Sequence, residues 1–136
     1  MPFSWLCFGS EGRREQTLHT DQDNGILFEA SDNVAAAEIR GRLLPLAMEI
    51  NQRLARCGFT LCKGDIMAGN PQLCLSRQEW SRRFAGFIRE ASPENLLAST
   101  IYFDLRTVWG DASGCEALRD ELLGQIADNS LSLIHI

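Results

Sequence analysis

Two aspartates separated by one residue, Asp21 and Asp23, run almost directly into an apolar segment, Ile26-Leu27-Phe28. A short run of branched and aromatic residues reads as a buried strand, here spanning Thr20 to Phe28. Side chains two apart on a strand point to the same face, so the two carboxylates would stand side by side. Such a pair repels itself unless a cation lies between the charges. Magnesium prefers oxygen ligands and is commonly shared between carboxylates and substrate phosphates. With two such ions about 4 Å apart, one activates the attacking oxygen and the other stabilises the leaving pyrophosphate.

A second feature stands upstream. Gly9-Ser10 follows a first apolar strand, Phe3 to Phe8, and opens a short helical piece through Arg13-Arg14-Glu15-Gln16. Backbone N–H groups at the positive end of a helix dipole form a seat for phosphate. Gly9 permits close approach, and Ser10 adds a hydroxyl donor. Arg13 and Arg14 are either solvated surface charges or contacts to a triphosphate.

Other chemistries fit less well. An EF-hand loop starting at Asp21 needs an oxygen side chain at its fifth position, glycine at its sixth and glutamate at its twelfth. Those places hold Gly25, Ile26 and Asp32. Cys57 and Cys62 have the look of a zinc half-site but lack a second ligand pair nearby. Five cysteines without a CxxC pair argue for reduced thiols and a cytoplasmic location. A net charge of −5 argues against a broad basic surface for nucleic acid, so no nucleic-acid partner is expected. No apolar run is long enough to span a bilayer, and no membrane association is expected.

The expected fold class is α+β: a small mixed-sheet core followed by a truncated helical bundle. Asp32 and its neighbours cap a long helix from Val34 to about Arg56, kinked or divided in two at Pro45 and closed by a left-handed Gly58. A third strand, Phe59 to about Met67, follows, and Gly69-Asn70-Pro71 forms a loop. From Ser76 onward the spacing predicts helices only. The first opens with a Ser76–Glu79 capping box and carries Trp80, Phe84, Phe87 and Ile88; the second starts at Ser92-Pro93 and carries Leu97, Ile101, Leu105 and Val108; the third starts at Ser113 and carries Leu118, Leu122 and Ile126. The expected division is 1–72 for the core, 73–129 for an incomplete helical substrate-binding domain, and 130–136 for a non-native tail on a fragment of a longer protein. Such a fragment is expected to be inactive alone.

Gly9-Ser10, a short helix and Asp21-x-Asp23 together resemble the signature of the polymerase β nucleotidyltransferase superfamily. The longer string GSEGRREQTLHTDQDNGI resembles a narrower group, the nucleotidyltransferase domains found behind CBS or cyclic-nucleotide-binding domains in bacterial signalling proteins, related to PII uridylyltransferase. Cys62 to Pro71 and Ile101 to Gly110 look like the same group. The resemblance implies transfer of a nucleoside monophosphate from an NTP to an acceptor hydroxyl, the acceptor being a protein if the likeness to PII uridylyltransferase extends that far. It implies two Mg2+ ions held by Asp21, Asp23 and a third carboxylate on a neighbouring strand, with Asp65 the first candidate and Asp104 the alternative. It also favours Arg13 over Arg14 as a nucleotide contact, with Gly9 and Ser10 on the phosphates. The arginines beyond Ser76 read as solvated surface charges, Arg106 being the first candidate to face the nucleotide cleft instead. The rival reading is a non-catalytic module that senses nucleotide within a signalling protein.

Overall fold

The computed structural model describes residues 3–8, 22–61, 65–89 and 105–134, and of residues 87, 88 and 126–134 the backbone alone. Four strands form one mixed sheet: β1 (Phe3–Cys7), β2 (Asn24–Phe28), β3 (Cys74–Ser76) and β4 (Arg106–Trp109), in the order β3-β2-β1-β4. β1 lies antiparallel to both β2 and β4, whereas β2 and β3 are parallel. Three helices complete the fold: α1 (Asn33–Arg56), α2 (Arg77–Arg89) and α3 (Ser113–Ile134). The architecture is α+β, as the sequence leads one to expect.

Alternation along the strands divides the core into two layers. Trp5, Cys7, Ile26 and Phe28 face α1, meeting Ala36, Leu43 and Ala47. Leu6, Phe8 and Leu27 face the other way, against Trp80 and Phe84 of α2 and Cys115, Leu118 and Leu122 of α3. The sheet is thus covered on both sides. The Trp80 indole N–H donates to the Ile26 carbonyl at 2.9 Å, which fastens α2 to the central strand.

Local signals explain the helix ends. The Asp32 carboxylate accepts from the Ala35 amide at 2.8 Å. At the far end, Phe59 N–H donates to Leu54 O and Gly58 N–H to Ala55 O, a Schellman closure made possible by Gly58 at φ 106°. The helix runs unbroken through Pro45, so the expected division there does not occur. Ser76 and Glu79 form the expected capping box: Glu79 N–H donates to Ser76 Oγ at 3.2 Å and Ser76 N–H to Glu79 Oε1 at 2.9 Å. At α3 the cap is Asp111, whose carboxylate accepts from Ser113 N–H at 2.8 Å, rather than Ser113 itself.

Two expectations are corrected. Among the described residues of the expected strand Phe59 to Met67 no strand forms, Thr60 making an isolated bridge, and the third strand of the sheet is Cys74–Ser76. The region beyond Ser76 is not wholly helical. Arg106–Trp109 pairs with β1 as the edge strand β4, where Thr107, Val108 and Trp109 suit a pleated surface. Strands from beyond residue 72 therefore lie in the same sheet as β1 and β2. The predicted helix from Ser92 through Ile101 lies outside the described residues, apart from its expected end.

Candidate active site

Asp23 is half-buried and stands immediately before β2. Its segment is held by backbone on both sides. The Phe8 amide donates to the Asp23 carbonyl at 2.9 Å, which brings the residue preceding Gly9 against the acid-bearing segment. On the opposite side, Gln22 N–H donates to Thr60 O at 2.8 Å and Asn24 N–H to Ile66 O at 3.0 Å. Asp23 is thereby fixed between the exit of β1 and the 60–66 stretch.

Three buried amide side chains underlie this arrangement: Gln22, Asn24 and Asn51. Gln22 Nε2 donates to the carbonyls of Asn51 at 2.8 Å and Phe59 at 3.0 Å. Asn51 Nδ2 donates to Gln22 Oε1 at 2.8 Å and Asn24 Oδ1 at 3.0 Å. Two loop amides complete the set, Ala68 N–H to Asn24 Oδ1 at 2.7 Å and Gly69 N–H to Asn51 Oδ1 at 2.8 Å. Buried amides are tolerated when their donors and acceptors are engaged, as these are. Because Gln22 and Asn24 both turn toward α1, alternation turns Asp23 away from it, to the face of Leu27 and Phe8.

Asp65 adjoins Ile66, the backbone partner of Asn24, so it does lie in the stretch beside the Asp23 segment. It is exposed, however, and lies outside any strand in a left-handed conformation, with φ 57°. Aspartate tolerates this left-handed conformation better than most residues. The Asn70 amide donates to the Asp65 carbonyl at 3.0 Å, and Asn70 Oδ1 accepts from Gln72 N–H at 3.0 Å. Asp65 and Asn70 also line a cleft of about 360 Å³ together with Met48, Asn51, Leu61 and Met67.

The strand register aligns Asn24, Cys7 and Arg106 across three neighbouring strands. Arg106 is accordingly at the same end of the sheet as Asp23, which its place in a supposed helix would not have suggested. Gly9, Ser10, Arg13, Asp21 and Asp104 lie outside the described residues, as does Cys62. Among the described residues no three His, Cys, Asp or Glu side chains form a group suited to a metal ion. Asp65 shares its cleft with Met48 and Asn51 of α1, whereas Asp23 turns away from that helix, so the described residues do not bring these two carboxylates together; carboxylate oxygens are the hard donors that magnesium takes. Sequence reasoning passed over Gln22 and Asn51; a polar residue at an otherwise inward-facing helix position was the available signal.

No helix among the described residues is long and apolar enough to cross a membrane. Comparison with known families shows that residues 1–94 match the family described as "Putative nucleotidyltransferase DUF294". A search of curated proteins and a search of solved structures each found no match.

Proposed function

The chain belongs to the DUF294 nucleotidyltransferase family, and on that premise we propose that it moves a nucleoside monophosphate from an NTP to an acceptor hydroxyl in a magnesium-dependent reaction. The acceptor oxygen bonds to the α-phosphorus, the bond from that phosphorus to the bridging oxygen breaks, pyrophosphate leaves, and the hydroxyl proton passes to solvent. The observation that carries the reading is the Phe8–Asp23 backbone hydrogen bond at 2.9 Å, which brings the residue before Gly9 to the acidic segment.

In this reading Asp21 and Asp23 hold the metal, with Asp65 as the third carboxylate. Gly9 and Ser10 receive the phosphates through backbone and hydroxyl donors, and Arg13 and Arg106 offset their charge. Bound magnesium would neutralise charge on the phosphates and on the departing pyrophosphate. The protein residues position the groups; no side chain needs to form a covalent intermediate. We place the acceptor on a protein, after the likeness to PII uridylyltransferase, and the domain in a bacterial signalling protein with CBS or cyclic-nucleotide-binding neighbours.

The test is incubation with NTPs labelled at the α-phosphate, magnesium and a cell extract, following both labelled acceptor and released pyrophosphate. Asp21→Asn combined with Asp23→Asn should abolish both products. Undiminished turnover in that double variant would overturn the assignment. The exposed, left-handed position of Asp65 favours a second reading, a nucleotide sensor that does not turn over. Saturable ATP or UTP binding in calorimetry, without pyrophosphate release, would select it.

A further inference from the structure

We propose that Arg119 is an edge guard: its guanidinium stands at the open side of β4 and keeps that strand from pairing with the β4 of a second copy of this chain. Among the described residues β4 is the last strand of the sheet, with no neighbour beyond it. It is also apolar where it is most open, Val108 being 51% and Trp109 59% exposed. An exposed apolar edge is a template for strand pairing, and a two-fold antiparallel match joins such an edge to itself. The guard does not depend on the proposed reaction.

The register fixes where the main-chain groups point. Phe8 N–H donates to Asp23 O, so the main chain of Phe8 points toward β2. Neighbouring residues of a strand point their N–H and C=O groups to opposite sides. Those of Cys7 therefore point to β4, where Cys7 is aligned with Arg106. Across a trans peptide a carbonyl opposes the next amide. The Leu105 carbonyl and the Thr107 amide are thus aimed outward, at the place of an incoming strand. Arg119 of α3 takes the first of these groups, its Nη2 donating to the Leu105 carbonyl. Among the described residues no carboxylate pairs with Arg119. A second β4 would have to displace a charge as well as a hydrogen bond, and charges placed at an edge are a common defence against pairing. The opposite edge carries the same device: Arg40 of α1 donates through Nε to the Cys74 carbonyl of β3 at 2.8 Å. β3 is only three residues long and offers little to pair with. β4 is the edge at which a guard matters.

The experiment compares the wild-type chain with Arg119→Met, which keeps an apolar stem and removes the donor, and with Arg119→Met combined with Val108→Lys. Sedimentation equilibrium over a range of concentrations reads the mass, and amide hydrogen exchange reads Thr107. For Arg119→Met we expect the mass to rise with concentration toward twice that of one chain, with the Thr107 amide gaining protection in step. Adding Val108→Lys, a charge on the pairing strand, should reverse both changes. In the wild-type chain the exchange of Thr107 should not depend on concentration. Arg119→Gln serves in its place, with the same outcomes, if Arg119→Met melts below the working temperature. A variant whose mass and Thr107 exchange match the wild type would overturn the guard. So would association without protection at Thr107, association that Val108→Lys leaves intact, or a wild-type chain whose Thr107 gains protection with concentration as the variant does.

Discussion

The ring of Phe8 lies directly against the backbone of Gly25. A β-carbon placed on Gly25 would come 3.1 Å from two ring carbons of Phe8 and 3.0 Å from the Leu73 carbonyl oxygen. Phe8 is the last described residue before Gly9, and Gly25 is two residues beyond Asp23, so this contact helps hold the acid-bearing segment against the exit of β1. Gly25→Ala should cost about 1–3 kcal/mol, because both neighbours are fixed in the core. Gly41 lies in the middle of α1, and a β-carbon added there would meet nothing within 4 Å. Gly41→Ala should therefore stabilise by about 0.5–1 kcal/mol through helix propensity. Urea denaturation of the two variants checks the opposite signs.

Glu79 predicts how stability depends on acid. Burial alone would raise its pKa, but hydrogen bonds from the Ser76 amide and from Arg40 outweigh burial and hold it below its ordinary value of 4.5. Arg40 of α1 pairs with this carboxylate and also donates to the Cys74 carbonyl at 2.8 Å, joining α1, β3 and α2. A carboxylate whose folded pKa is depressed stabilises fully above its unfolded value and loses that contribution as pH falls through the folded one. Melting temperatures of the wild-type chain and Glu79→Gln should therefore differ at neutral pH, the variant being lower. The two should converge as the pH drops below about 4.5.

Thiol reactivity should follow burial. Cys74 is completely buried, and desolvation pushes its thiol up to about 11 despite the nearby Arg40. Burial raises Cys115 as well, against a hydrogen bond with Thr107. Cys57, at the end of α1, is exposed. Alkylation of the native chain at pH 7 followed by peptide mapping should label Cys57 and spare Cys74 and Cys115 until the chain is unfolded, since the thiolate is the reacting form. Early labelling of Cys74 would contradict the packing between β3 and α1.

The sequence made some of this architecture legible because certain signals are local. Asp32 and Gly58 mark the two ends of α1, Ser76 and Glu79 cap α2, and the apolar runs of β1 and β2 stand out against their flanks. β3 was hidden because three residues between the Asn70–Pro71 turn and a helix cap are too few to display a period. β4 was hidden by coincidence: Leu105 and Val108 continue a helical spacing from Leu97 and Ile101, while the pairing with β1 that decides their conformation lies about a hundred residues away in sequence. The amide set of Gln22, Asn24 and Asn51 is non-local in the same way. Its logic emerges only when α1, the acid segment and the 66–69 loop are brought together. Of the acidic pair, the structure fixes Asp23 and its backbone partners, immediately before β2, while Asp21 lies outside the described residues.

The most direct test of the proposed site is calorimetric titration of UTP and ATP into the chain, with magnesium present and then with magnesium removed by EDTA. The comparison protein is the variant carrying Asp21→Asn and Asp23→Asn, checked for an unreduced melting temperature, since neutralising two adjacent like charges should not weaken the fold. Magnesium-dependent binding of at least one nucleotide to the wild-type chain, lost in EDTA and lost in the variant, is the predicted result. Nucleotide binding of equal strength in the variant, or unaffected by EDTA, would contradict a metal site built on these two aspartates.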